Sequence, residues 1–163
     1  MSTIDPVDDK TAAGKRDEPL YRIMTAKDVR EVIAIERQAY QYPWTEGIFR
    51  DCLRVGYQCR VLELAGEIQV YGIISIAASE SHILNICVRP AQRRQGLGRR
   101  MLDYLMDEAR RCSVETMLLE VRVSNTAAVH MYQQAGFNEI GCRPNYYPAK
   151  NGREDALLMA YTY

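Results

Sequence analysis

Residues 89–100 read Arg-Pro-Ala-Gln-Arg-Arg-Gln-Gly-Leu-Gly-Arg-Arg. Glycine puts no side chain between its backbone and a ligand, so an anion can come close to Gly96 and Gly98. Arg93, Arg94, Arg99 and Arg100 add positive charge around them. The chemistry such a set supports is the binding of a diphosphate. A basic, solvated loop with a glycine-permitted turn is the simpler reading of the same residues. Further on, Glu120 is a charged residue inside the apolar run Leu118-Leu119-Glu120-Val121. It is either a proton acceptor or an exposed side chain paired with Arg122, since two-residue spacing puts both on one face of a strand.

The elements that must position these groups can be read on either side of the loop. His82 to Val88 is almost wholly apolar or β-branched and predicts a buried central strand. Pro90 ends it, because proline cannot donate to a sheet ladder. Leu97, Met101, Leu102, Leu105 and Ala109 recur at helical spacing, so a helix begins at the glycines. A helix start presents unpaired N–H groups and the positive end of the helix dipole. The loop thus joins a strand to a helix, with the diphosphate cradle between them.

A Walker loop needs lysine and a hydroxyl after its second glycine, and neither is present. A dinucleotide fingerprint needs a third glycine where Met101 stands. The run Arg93 to Arg99 closely resembles the Q/R-x-x-G-x-G/A motif of the GCN5-related N-acetyltransferases. That resemblance implies that the loop binds the diphosphate of coenzyme A. It also implies that the preceding strand splays from its neighbour, so that Ile86, Cys87 and Val88 offer backbone groups to the pantetheine arm.

Composition narrows the class. The chain has 163 residues, a size expected of one domain with a substantial core. Lysine plus arginine equals aspartate plus glutamate, 21 of each, which gives no support to bulk nucleic-acid or membrane binding. No apolar run is long enough to span a bilayer, and the first 19 residues lack a signal-peptide core. A cytoplasmic protein with no membrane partner is expected. The five cysteines form no C-x-x-C pair and read as buried free thiols. With two histidines and no local Cys/His cluster, no metal is expected.

In chain order, residues 1–19 read as a disordered tail and residues 20–163 as a single domain. Tyr21 to Met24 predicts a short strand, followed by a helix that Thr25 can cap. Pro43 separates this helix from a second one, capped by Thr45, with Ile48, Phe49, Cys52 and Leu53 on its inner face. The aromatic cluster Tyr40-Gln41-Tyr42-Pro43-Trp44 between them is either helix packing or the wall of a substrate groove. Tyr57 to Ala65 and Ile68 to Ala78 predict a hairpin turning at Gly66-Glu67. After the glycine-led helix, Thr116 to Val123 predicts a strand parallel to His82–Val88. Ser124 or Asn125 can cap the helix Thr126 to Ala135, and Gly136 suits its left-handed end. Phe137 to Arg143 and Glu154 to Tyr161 predict a final antiparallel pair, turning at Lys150-Asn151-Gly152. The fold class is α+β: a mixed, mostly antiparallel sheet with one parallel splayed pair and flanking helices.

Acetyl transfer from coenzyme A to an amine needs a deprotonated amine, a thioester in attack geometry and a proton for the departing thiolate. Glu120 is the candidate base, and partial burial raises a carboxylate's proton affinity. An α-amine has a pKa of about 8, so only modest help is needed. Tyr132 is the candidate acid, since a phenol donates while neutral; a core aromatic of an amphipathic helix is its other reading. Asn125 contacts the cofactor arm or simply caps its helix.

A narrower resemblance rests on Leu119 to Asn125, Met131-Tyr132, Ala135-Gly136-Phe137, Asn145-Tyr146-Tyr147-Pro148 and Gly152 to Ala156, with Pro43-Trp44. These are similar to the bacterial ribosomal-protein-alanine N-acetyltransferases, from about Tyr21 to the C-terminus. The resemblance implies Glu120 as base and Tyr132 as acid. It implies cofactor contacts at Ile86, Cys87, Val88, Arg94, Gln95, Gly96, Leu97, Gly98, Arg99 and Asn125. It implies acetyl-CoA as cosubstrate and the N-terminal alanine of ribosomal protein S18 as acceptor, with no direct nucleic-acid contact. The N-terminal tail and Arg143-Pro144 depart from the family pattern, and the second departure lies near the expected peptide loop. Alternatives on the same fold are acetylation of lysine or small amines, or coenzyme A binding without turnover. Lysine would demand a stronger base or more desolvation.

Overall fold

The computed structural model describes residues 18–163. The expected tail therefore lies outside the described residues, except for Glu18 and Pro19. Seven strands form one sheet: β1 (Leu20–Ile23), β2 (Gln58–Leu64), β3 (Glu67–Ala77), β4 (Glu80–Val88), β5 (Thr116–Arg122), β6 (Asn138–Ala149) and β7 (Gly152–Thr162). The spatial order is β1-β2-β3-β4-β5-β7-β6. Every pairing is antiparallel except β4 with β5. Four α-helices flank the sheet: α1 (Val29–Ala39), α2 (Glu46–Arg54), α3 (Leu97–Arg111) and α4 (Thr126–Gln134). Among the described residues no helix is long and apolar enough to cross a membrane.

Two cores lie on opposite faces. One joins α3 and α4 to the sheet through Met101, Leu105, Leu119, Val121, Tyr132 and Phe137. The other joins α1 and α2 through Val32, Ile35, Phe49, Val61, Tyr71 and Cys87. Strand β3 is buried without a break from Ile68 to Ile74 because helices cover both its faces. Gly72 permits this: a Cβ there would stand 2.6 Å from Leu105 Cδ1 and 3.0 Å from Met101 Cγ, so these α3 side chains would have to shift.

The parallel pair is short. Glu80 to Ile83 pairs with Thr116 to Leu119, and there the pairing stops. The cause is a β-bulge. On β3, Ile74 pairs with Ile83 and Ile73 with Asn85, which leaves Leu84 as the extra residue. A bulge bends its strand and increases its twist, so β4 turns away from β5 at that point. It also changes which side chains face which way. Ile83 lies in the α3-side core; beyond the bulge Ile86 and Val88 pack there, while Cys87 lies in the α1-side core.

Several local expectations shift. Thr25 does not cap α1; Asp28 does the tying, accepting from the Thr25 N–H at 2.7 Å and from Arg22 at 2.8 and 2.9 Å. Thr45 caps α2 through the Ile48 N–H, but Ile48 itself is exposed. The β2–β3 turn falls at Ala65-Gly66, both at positive φ, one residue earlier than expected. Strand β4 begins at Glu80, and β6 runs on to Ala149 past a break in register between Arg143 and Tyr147. All five cysteines are free, but Cys112 and Cys142 are exposed rather than buried.

Candidate active site

The separation of β4 from β5 opens a gap through the sheet. The Arg89 N–H bonds to the Gln69 carbonyl at 2.7 Å, extending the ladder beyond the Val70–Val88 pair. Opposite residues in an antiparallel pair alternate between bonded and non-bonded. Cys87 therefore directs its backbone groups to β3, whereas Ile86 and Val88 direct theirs into the gap. The Ile86 carbonyl accepts a hydrogen bond from the Tyr40 hydroxyl at 3.3 Å.

At the far end of β4 the chain passes through a 3₁₀ turn, Pro90–Gln92, and enters α3. Gly96 is the N-cap, at φ 76 and ψ 4, a left-handed conformation that favours glycine. No side chain caps the helix, and a Cβ on Gly96 would meet nothing within 4 Å. The first helical bond runs from the Arg100 N–H to the Gly96 carbonyl, so the N–H groups of Leu97, Gly98 and Arg99 project from the end. Gly98 has a different job. A Cβ there would lie 3.3 Å from Val88 Cγ2 and 3.5 Å from Met131 Sδ, so its smallness lets α3, β4 and α4 converge. Arg94, at φ 64, is exposed beside the cradle. Gln95 bonds to Gln92, and Arg99 bonds to Asp103 at 2.8 Å along the helix. The loop is held from behind by Arg89, whose guanidinium bonds the Ile68 carbonyl and Glu31 at 2.7 Å.

Glu120 is the first residue of β5 beyond the last pair with β4. Its side chain is 16% exposed and forms an ion pair with Arg143 on β6, Nε to Oε1 2.8 Å. It does not pair with Arg122. That guanidinium bonds Glu154 at 2.7 Å and the Pro148 carbonyl, and stacks over the rings of Tyr147 and Tyr42. Tyr146 and Tyr147 lie beside Glu120, and Tyr42 lies against Arg122. Tyr146's phenol is pushed up, first by its hydrogen bond to Glu120. Burial pushes Tyr147 up to about 12. In the aromatic cluster before α2, Trp44 packs on Phe49, as helix packing requires, whereas exposed Tyr42 reaches Arg122.

Tyr132 comes to the gap from the other face, on α4, with its ring edge-on to Phe137. Burial raises the Tyr132 phenol well above its ordinary value, so it is protonated at neutral pH. Asn125 caps α4, accepting from the Ala128 N–H at 3.2 Å. The structure therefore brings Ile86, Val88, Glu120 and Tyr132 to one gap, with the cradle of Arg94, Gln95, Gly96, Leu97, Gly98 and Arg99 at its end. Sequence reasoning missed Arg89, Glu36 and the pairing of Arg143. For Glu36 the signal was a carboxylate on the buried stripe of α1, beside Val32, Ile33 and Ile35.

A strand pair that opens over a glycine-capped helix defines an acetyltransferase fold, and residues 27–137 match the acetyltransferase (GNAT) family. The chain belongs to that family. It is 41% identical over 133 residues to ribosomal protein bS18-alanine N-acetyltransferase of Escherichia coli K12, covering 82% of this chain and 90% of the relative. The Salmonella typhimurium counterpart is 38% identical over 85% of this chain and 93% of its own length. The crystal structure of the Escherichia coli ribosomal-protein-S18-alanine N-acetyltransferase superposes with a TM-score of 0.85 at 37% identity, covering 89% of this chain and 94% of that one.

Proposed function

We propose that this chain transfers an acetyl group from acetyl-CoA to the N-terminal alanine amine of ribosomal protein bS18. The relatives bearing that activity match over nearly their whole length. The observation that carries the reading is the place of Glu120, at the mouth of a gap whose end is an open helix N-terminus.

The residues present fit the cosubstrate. The uncapped N–H groups of Leu97, Gly98 and Arg99, with Arg94 beside them, suit a diphosphate, and the gap-facing backbone groups of Ile86 and Val88 suit an amide-bearing arm. Bound there, acetyl-CoA supplies an activated acyl group. Glu120 Oε1 now faces the Arg143 guanidinium; an incoming ammonium takes that cation's place and gives up a proton to the carboxylate. Tyr132 Oη donates a proton to the departing sulfur, and the second proton that the nitrogen sheds on becoming an amide restores the phenol. Glu120 and Tyr132 approach from opposite faces, so acceptor and donor of protons stand on either side of the attack.

The test compares two peptides: one with the free N-terminal alanine of bS18, one with that terminus blocked and a lysine free. Acetylation of the first alone is expected. Acetylation of the blocked peptide alone transfers the activity to lysine, and binding of acetyl-CoA without turnover of any amine leaves a non-catalytic binder.

A further inference from the structure

Glu36 is the most deeply buried carboxylate among the described residues, 1% exposed. It takes no part in the chemistry above. A leucine would fill its space without the desolvation of an anion, so packing alone does not account for it. What the carboxylate does, and an apolar side chain cannot, is accept hydrogen bonds from three elements at once. Oε1 accepts from the Trp44 backbone N–H at 2.8 Å, in the loop between α1 and α2. Oε2 accepts from the Tyr71 hydroxyl on β3 and from the Asn85 amide on β4 at 3.4 Å. The Asn85 amide also lies 3.4 Å from the Tyr71 hydroxyl, which closes the network.

The position of these partners matters. Asn85 follows the bulge at Leu84, in the stretch of β4 that β5 has left. Trp44 is two residues beyond Tyr42, the ring that reaches Arg122, two residues from Glu120 on β5. Between them, the hydroxyl of Tyr40 bonds the Ile86 carbonyl in the gap. One buried carboxylate therefore ties the loop carrying Tyr40, Tyr42 and Trp44 to the unpaired end of β4.

We infer that Glu36 is a positioning residue: it fixes the α1–α2 loop against β4 and so sets the wall on which the acceptor peptide lies. The inference rests on the peptide acetylation proposed above. Loss of the carboxylate leaves at most one acceptor oxygen for the three donors of Trp44, Tyr71 and Asn85, loosens the loop and moves Tyr42 from Arg122. The cradle at Gly96 has other anchors, chiefly Arg89 on Glu31 and Ile68, and stays in place.

The chain's single tryptophan is Trp44, so its fluorescence reports this loop directly. The experiment uses the full chain with Glu36→Gln, which keeps the shape of the side chain, and Glu36→Ala, which does not. In Glu36→Gln, Trp44 emission shifts to the red and acrylamide quenches it more strongly, while far-UV circular dichroism is unchanged. Peptide KM rises on the order of tenfold, and acetyl-CoA Kd measured by calorimetry stays within about threefold. Glu36→Ala moves both loop and KM further; if it does not fold, Glu36→Gln decides. A folded Glu36→Gln protein with lowered Tm but unmoved Trp44 emission and peptide KM overturns the inference. So does a fall in kcat alone, or an equal loss of peptide and acetyl-CoA affinity. Failure of the wild-type protein to acetylate any peptide would instead refute the proposed function, and Trp44 quenching would still judge the contact.

Discussion

From Glu80 to Ile83, β4 is paired with β5; from Leu84 to Val88, it is not. The first half, Glu80-Ser81-His82-Ile83, is mostly polar; the second, Leu84 to Val88, is mostly apolar. In the first half each backbone group is satisfied by a neighbouring strand, and little can enter. In the second, one extra residue at Leu84 turns the strand, and the N–H and C=O groups of Ile86 and Val88 face a gap. Unpaired backbone inside a protein needs partners. Here Tyr40 supplies one, and the site is shaped to let a ligand supply others. The half of the junction proposed to bind the cosubstrate is the half in which the sheet does not complete itself.

The contrast is broken most severely at Glu120, where the two halves meet. Glu120→Gln lowers kcat on the order of a hundred- to a thousandfold, while acetyl-CoA binding by calorimetry is unchanged. Tyr132→Phe lowers kcat less, about tenfold, because water can protonate a thiolate that the phenol no longer reaches. Equal turnover in either variant removes that residue from its role.

Gly96→Asp separates the cradle from the fold. The new carboxylate sits at the N-cap, where it accepts from the free helix N–H groups and occupies the anion's place. Acetyl-CoA affinity falls about tenfold or more. The left-handed backbone costs about 1 kcal/mol, which the new cap offsets, so Tm moves little. Unchanged affinity would show that the helix end is not the anion site.

The smallest effect compares an anchor at the gap with one far from it. Arg122 holds the Glu154 carboxyl below its ordinary 4.5, and Arg22 holds Asp28 below 3.8. A carboxylate with a depressed folded pKa stabilises fully above its unfolded value and loses that contribution as pH falls through the lowered one. Tm therefore drops between about pH 5 and pH 3, and drops less in Glu154→Gln and Asp28→Asn. Only the Glu154 variant also raises peptide KM, since only Arg122 stands against Tyr42 and Tyr147.

Much of the frame was legible because it depends on local chemistry. Helical spacing in Leu97 to Ala109 marked α3, and Gly96 marked the left-handed position from which it starts. Strand, crossover helix and strand in succession required the parallel pair. Asn125 was legible as a cap because the bond it makes is three residues long. The run His82 to Val88 identified a strand, but it could not show a bulge: apolar residues fall at both odd and even positions, so a one-residue slip leaves no mark in the pattern.

What the chain order and side-chain types determined, then, was which elements form, in what succession, and that a basic glycine turn joins β4 to α3. Those features follow from backbone preference and from contacts a few residues apart. The tertiary structure alone decided that the sheet opens at Leu84, that Glu120 meets Arg143 rather than Arg122, and that Tyr132 arrives from the opposite face. It alone decided that Gly98 serves close packing and that Glu36 turns inward. Each of these depends on residues far apart in the chain, whose partners are chosen only when both faces of the sheet are packed.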